Sequence, residues 1–199
     1  MDNKFRLDIE NRRSIYAINK EVKIEDKEIE EILKHSLKFV PSAFNSQSAR
    51  TVLLLGEHHD RLWDITKEIL RGLVPAEAFG QTEEKMDSFK NGYGTVLFFE
   101  DHSIIEDLQN RFALYKDNFP VWSEQSSGML QFVIWTQLEA AGLGASLQHY
   151  NPLIDQQVKA QWALPAHWKL IAQMPFGNPF APAQEKEFLP VEDRIKVFR

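Results

Sequence analysis

Between Glu25 and Phe39, apolar residues recur at Ile29, Ile32, Leu33 and Leu37, while Glu28, Glu30, Glu31 and Lys34 take the positions between. Spacing by three and four puts the apolar side chains on one helical stripe, and Pro41 marks the end of that helix. A shorter segment before it, with Phe5 and Ile9 four apart, predicts a first helix that carries Arg12 and Arg13. It closes near Ser14 to Tyr16 and takes Asp2 or Asn3 as its cap. Thr51-Val52-Leu53-Leu54-Leu55 is an unbroken apolar run bounded by polar residues and Gly56, the pattern of a strand buried on both faces. A helix from about Asp60 to Leu70 follows, then a weaker helical region from Pro75 to Phe89. Gly92-Tyr93-Gly94 predicts a turn, Thr95 to Phe99 a second strand, and residues 103–117 another helix.

From Ser123 to Ala141 the stripe disappears: Met129, Leu130, Phe132, Val133, Ile134, Trp135 and Leu138 occupy nearly every angle around a helix. Such a helix must be covered all round. Two solutions stay open, a central core helix or one whose second face meets another subunit. Gly142-Leu143-Gly144 stops it, and Ala145 to Tyr150 predicts a third strand. Asn151 suits the cap of a helix with Pro152 at its first position, running to about Trp162. Trp168 to Gln173 predicts a fourth strand. The Pro- and Gly-rich stretch from Pro175 to Pro182 is expected to exclude regular structure, and Arg194 to Phe198 to extend as an arm. With no repeat or linker, residues 1–199 make one domain.

Composition narrows the chemistry. With 199 residues and 43% hydrophobic content, the chain can bury a full core. A formal charge of -6 gives no general field for nucleic acid or anionic lipid, so any anion site must be local. No signal-like opening and no apolar run near the roughly 20 residues of a membrane helix is present, so a cytoplasmic location is expected. The absence of cysteine removes disulfides, thiolate catalysis, iron-sulfur ligation and cysteine-bound zinc. Redox chemistry in this chain needs an organic cofactor.

Arg12-Arg13-Ser14 offers two fixed positive charges and a hydroxyl, the inventory of a phosphate monoester site; a solvated helix face is the plain alternative. Pro41 to Ser48 holds no charge, but Ser42, Asn45 and Gln47 supply donors and acceptors able to read the O2, N3 and O4 edge of a flavin pyrimidine. They equally suit a loop that satisfies its own backbone. The six histidines lack ligand spacing, so no metal site is expected. His149, after an apolar strand, either approaches a ligand or bonds to backbone. Ser126-Ser127-Gly128 is no nucleophile elbow, and Gly142-Leu143-Gly144 no dinucleotide fingerprint. Phe112, Tyr115, Phe119 and Trp122 read as core packing or as a lid over a planar substrate.

The order of these pieces is similar to that of the nitroreductase-like FMN flavoprotein family over essentially the whole chain. The resemblance rests on Arg12-Arg13-Ser14-Ile15-Tyr16, Pro41 to Ser48, Gly94 to Asp101, Gly142-Leu143-Gly144, the Met174-Pro175-Phe176-Gly177 turn and Lys186. Within the family the chain resembles the short subgroup of yeast fatty-acid-repression and copper-induced bacterial nitroreductases. That resemblance implies an α+β fold with a central, mainly antiparallel sheet surrounded by helices, assembled as a homodimer with an extended C-terminal arm. It implies two FMN molecules in clefts between subunits, with NADH or NADPH as hydride donor and small planar acceptors.

On this resemblance Arg12, Arg13, Ser14 and Lys186 hold the phosphate and ribityl chain from one subunit, while Pro41, Ser42, Asn45 and Gln47 contact the isoalloxazine from the other. Backbone at Gln148 and His149 approaches the ring near N5. The implied activity is ping-pong reduction of nitroaromatics and quinones by hydride transfer through N5, with no side-chain acid or base in the hydride step. Tyr16 and Phe188 stand where many members carry cations, which is expected to lower the flavin potential. That departure leaves a second reading, a flavin-binding regulatory or stress-response protein with incidental turnover.

Overall fold

The computed structural model describes residues 3–199; Asp2, one of the two expected caps, lies outside them. Asn3 holds the cap position of α1 (Lys4–Asn11) but makes no side-chain capping bond. This helix buries none of its residues, and Phe5 is 71% exposed. It ends before Arg12, so Arg12 and Arg13 leave the helix, contrary to expectation. The chain is drawn away instead: Ile15 N–H donates to the Ala145 carbonyl at 2.9 Å, and Ser14 bridges to Ala145.

After β1 (Ile18–Asn19), α2 (Asp26–Phe39) opens with a reciprocal capping box between Glu25 and Glu28 and buries Ile29 and Leu33. Then come β2 (Ala49–Leu55), α3 (Glu57–Arg71), α4 (Phe79–Lys90) and β3 (Gly94–Asp101). α5 (His102–Arg111) is followed by a 3-10 turn at Ala113–Tyr115 rather than more α-helix. The strands form one antiparallel ladder in the order β1-β5-β3-β2, with β4 (Gly144–Ala145) also on β5 (Trp168–Pro179). Every residue of the central β3 is buried. β2 was expected to be buried on both faces; it lies at the sheet edge, and Leu54 alone of its residues is fully buried.

β5 corrects a second expectation by running straight through Pro175 and Gly177. Pro175, opposite Thr95, needs no N–H there, and its carbonyl accepts from Ser146 N–H. At Gly177 a Cβ would sit 2.5 Å from the Asn19 carbonyl oxygen, so glycine permits the approach of β1. The predicted third strand shrinks to β4 plus one bridge from Gln148 to Gln173. α7 is Asp155–Gln161, and Pro152 sits in the preceding turn rather than in the helix.

Alternation along β3 divides the core in two. Val96 and Phe98 pack with α2 and α6 (Asn118–Ala140) through Ile29, Leu33, Leu130, Ile134 and Leu138. Leu97 and Phe99 pack on the other face with Leu62 and Trp63 of α3, Met86 and Phe89 of α4, and Val158 of α7. The all-apolar helix α6 is therefore covered on one side only, since Met129 and Phe132 remain 43% and 38% exposed.

Candidate functional site

Two polar clefts flank α6. In the first, Arg12, Arg13, Ser14 and Tyr16 meet Gln184, Glu185 and Lys186 around a cavity of about 280 Å³. The ends of the chain are joined there by Arg13, whose Nη2 donates to the Gln184 carbonyl. Close packing sets the amino-terminal wall, because a Cβ on Gly144 would come within 2.7 Å of Ile15 Cγ2. Arg12 lies 4.4 Å over the Trp135 ring of α6, a cation–π contact that holds its guanidinium in place.

The electrostatics of this cleft ask for an anion. Burial, and then the neighbouring charge of Arg13, lower the Arg12 pKa. Arg12 Nε is buried without a hydrogen-bond partner. Among the described residues, none of Arg12, Arg13 and Lys186 is paired with a carboxylate. Lys186 instead rests 5.2 Å from the Phe188 ring. Two guanidinium forks, an ammonium and a hydroxyl match a phosphate monoester, which would relieve the like-charge repulsion.

The second cleft, about 340 Å³, is lined by Pro41, Ser42, Gln47, Ser48, Arg50 and Ser126 over an apolar floor that includes Leu37 and Leu130. It continues past Pro41, Ser42 and Ser126 into a cavity of about 470 Å³ walled by Phe44, Trp122 and Met129. The loop between α2 and β2 is strained: Phe44, Asn45 and Gln47 have φ of 55°, 50° and 49°. For side chains with a Cβ, each such residue costs on the order of 1–2 kcal/mol. Contacts of Phe44 with Phe112, Phe119 and Trp122, the last stacked at 6.0 Å, offset part of that cost. Ser42 helps fix the turn, its Oγ accepting from Gln47 N–H at 2.9 Å.

The structure therefore gathers Arg12, Arg13, Ser14 and Lys186 in one place, and Pro41, Ser42 and Gln47 in another. Asn45 points elsewhere, into a cavity of about 190 Å³ with Ile104, Asp107 and Arg111. Gln148 is buried; its backbone pairs with Gln173 and its Nε2 donates to Ser146 Oγ at 3.0 Å. His149 is exposed, and neither it nor Gln148 lines these clefts. Sequence reading gave no site role to Ser48, Arg50, Ser126 or Glu100, weighing Ser126 only as part of a nucleophile elbow. Glu100 left a trace: it continues the inward phase of Val96 and Phe98 with a carboxylate.

A central antiparallel sheet wrapped by helices carries a cationic cleft made by both ends of the chain beside a second polar one, an arrangement that fits a nitroreductase-type oxidoreductase. The chain belongs to the nitroreductase family, whose sequence pattern matches residues 9–178. It is similar to the nitroreductase CinD of Lactococcus lactis, solved with chloramphenicol: TM-score 0.91 and 45% identity over 98% of this chain and 100% of that one. Nitroreductase FRM2 of Saccharomyces cerevisiae is 36% identical, covering 91% of both chains. A more distant structure from Desulfovibrio desulfuricans, solved in complex with FMN, shares the fold at TM-score 0.70 and 18% identity.

Proposed function

We propose that this protein is an FMN-dependent NAD(P)H oxidoreductase that reduces nitroaromatic compounds, with quinones as a second acceptor class. The observation that carries this reading is the cleft of Arg12, Arg13 and Lys186, three cations with no carboxylate partner among the described residues. Bound there, FMN would supply hydride chemistry at N5, taking hydride from NADH or NADPH and passing it to an acceptor in ping-pong order. Arg12, Arg13 and Lys186 neutralise the phosphate, and the Ser14 hydroxyl joins them. Pro41, Ser42 and Gln47 hold the ring edge in the second cleft, where Arg50 is tied to Asp101. The Phe44–Trp122–Met129 wall excludes water and accepts a planar substrate. Similarity to CinD, solved with chloramphenicol and with 4-nitrophenol, supports aromatic nitro compounds as acceptors.

Residues 1–199 act as one domain and pair as a homodimer. The exposed Met129 and Phe132 of α6, together with Phe188, Leu189, Val197 and Phe198 of the carboxyl-terminal arm, support that assembly by leaving apolar surface to cover. In this dimer backbone around Gln148 and His149 would approach the ring near N5, as in the family the chain resembles, and Asn45, which lines a separate cavity, would have to reach it from the partner subunit. The test is a visible spectrum of freshly purified protein, followed by stopped-flow mixing with NADH and NADPH. A stoichiometric flavin that bleaches rapidly and recovers on adding 4-nitrophenol is expected. A colourless protein that takes up no FMN refutes the reading, and bound FMN that stays oxidised points to a binding role.

A further inference from the structure

Glu100 is a carboxyl that the proposed chemistry leaves unused, and it is 0% exposed. On β3 it shares the face of Val96 and Phe98, toward α6. Its Oε2 accepts from Ser48 Oγ at 2.6 Å, while its Oε1 is buried without a partner. Ser48, itself only 1% exposed, borders the second cleft beside Ser42, Gln47 and Arg50, and its Oγ lies 3.4 Å from Ser46 Oγ. A buried carboxyl thus stands directly behind a hydroxyl at the cleft wall.

We propose that Glu100 is a positioning residue that sets the direction of the Ser48 proton, and through it the affinity of the cleft for the carbonyl edge of the flavin ring. The inference rests on the FMN reading above. Ionised Glu100 claims the single Ser48 proton and leaves only lone pairs toward the cleft. Protonated Glu100 donates to Ser48 Oγ instead, and Ser48 then donates outward to a carbonyl oxygen such as flavin O2 or O4.

The surroundings put this exchange in the working range. Burial pushes the Glu100 carboxyl up to about 7. The Ser48 bond and Arg50 of β2 pull it down, while Glu124 of α6 and the adjacent Asp101 push it up. Lys169, opposite Glu100 on β5, is engaged by Glu124 at 2.8 Å. Asp101 is held by Arg50 at 2.9 Å and by Ser103, with His167 at 3.6 Å. Glu100 therefore has no ion-pair partner of its own among the described residues.

FMN titrated into apoprotein from pH 5.5 to 8.5, read by flavin fluorescence, tests this in the wild type, Glu100→Gln, Ser48→Ala and Ser48→Thr. The phosphate's own titration is common to all four. Beyond it, wild-type affinity is expected to fall about tenfold as pH rises through 7, the equivalent of a one-unit displacement of the Glu100 pKa. Glu100→Gln and Ser48→Ala should lose that step, and Ser48→Thr should keep it. Infrared spectra of 13C-glutamate-labelled apoprotein should show a protonated carboxyl band at pH 6 that fades by pH 8.5, is absent from Glu100→Gln, and persists to higher pH once FMN is added. Identical pH profiles in wild type and Ser48→Ala overturn the proposal while FMN binding stands, and they do so even if Glu100→Gln fails to fold. Absence of FMN binding in wild type defeats the functional reading and this inference together.

Discussion

On the α3–α4 side of the sheet, the buried polar groups around His59 form a closed set. The Lys90 carbonyl can only accept, so His59 Nε2 at 3.2 Å carries the proton, and Nδ1 accepts from the Thr95 hydroxyl at 2.9 Å. Thr95 Oγ1 accepts in turn from Trp63 Nε1 at 3.1 Å. The α2–α6 side is different: Glu100 Oε1, Trp135 Nε1 and Arg12 Nε are all buried without partners, and both clefts open there. The remaining orphan, Asp155 Oδ1, sits in the first turn of α7. A satisfied network stabilises one arrangement of the chain, whereas an orphaned polar group costs about 1–3 kcal/mol until something arrives to satisfy it. The α3–α4 face is left with one orphan among the described residues, the α2–α6 face with three, and it is the second that borders the clefts.

The largest effect expected on the open face follows from Arg12→Ala combined with Arg13→Ala. Two charge-assisted bonds to a phosphate, each worth about 1.5–3 kcal/mol, predict loss of FMN affinity by at least about a hundredfold. Equilibrium titration of the apoprotein reads this directly, and retention of stoichiometric FMN on purification contradicts it. Thermal stability of the apoprotein should change little or rise, because like charges are removed.

The closed face should respond to acid instead. Burial lowers the His59 pKa from 6.5 to about 4, so the folded state resists a proton that the unfolded chain accepts. Stability from this group is present above pH 6.5 and is lost as pH falls toward 4, by about 3 kcal/mol. Denaturant melts at intervals across that range check the slope. In His59→Gln the acid-dependent part should vanish, while FMN affinity per folded molecule stays as in the wild type.

Glu100 carries the opposite sign. Its folded pKa near 7 lies above that of the unfolded carboxyl, so its cost to stability grows as pH rises from about 4.5 and levels off above 7. Between pH 5.5 and 8 the wild type should lose about 2 kcal/mol relative to Glu100→Gln. Parallel stability curves for the two proteins would falsify the raised pKa. The smallest effect belongs to Phe44→Ala, which loses aromatic contacts but eases backbone strain only slightly. Stability is expected to shift by no more than about 1 kcal/mol, with the KM for 4-nitrophenol rising severalfold and the KM for NADH moving less.

The elements that declared themselves in the sequence were those whose pattern is local. α2 matches its stripe within one residue, because Ile29 and Leu33 bury against the sheet and Glu25 and Glu28 cap each other. β5 was misread past Gln173, because Pro175 and Gly177 are breakers only when their neighbours are unknown; here Thr95, Ser146 and Asn19 supply the partners that make them fit. β2 was misread as doubly buried, since an apolar run does not say whether a strand lies at an edge. At the site, the grouping of Arg12, Arg13 and Lys186 was legible through the family resemblance, because the two arginines alone suit a solvated helix face equally well. Ser48 and Glu100 were not, being 52 positions apart and joined only by one buried hydrogen bond.

Composition excluded cysteine chemistry, and the order of two arginines and a serine at one end, uncharged amides between and a lysine at the other carried the family resemblance that implied the class of chemistry. Those are properties of side chains, and they travel with the chain whatever its shape. Tertiary structure alone decided that Arg13 would meet Gln184, that Asn45 would turn away from Gln47, and that Glu100 would be buried behind Ser48. Such outcomes depend on strand order and on which side of a sheet each residue falls, and these are fixed only when distant segments pack and exclude water together.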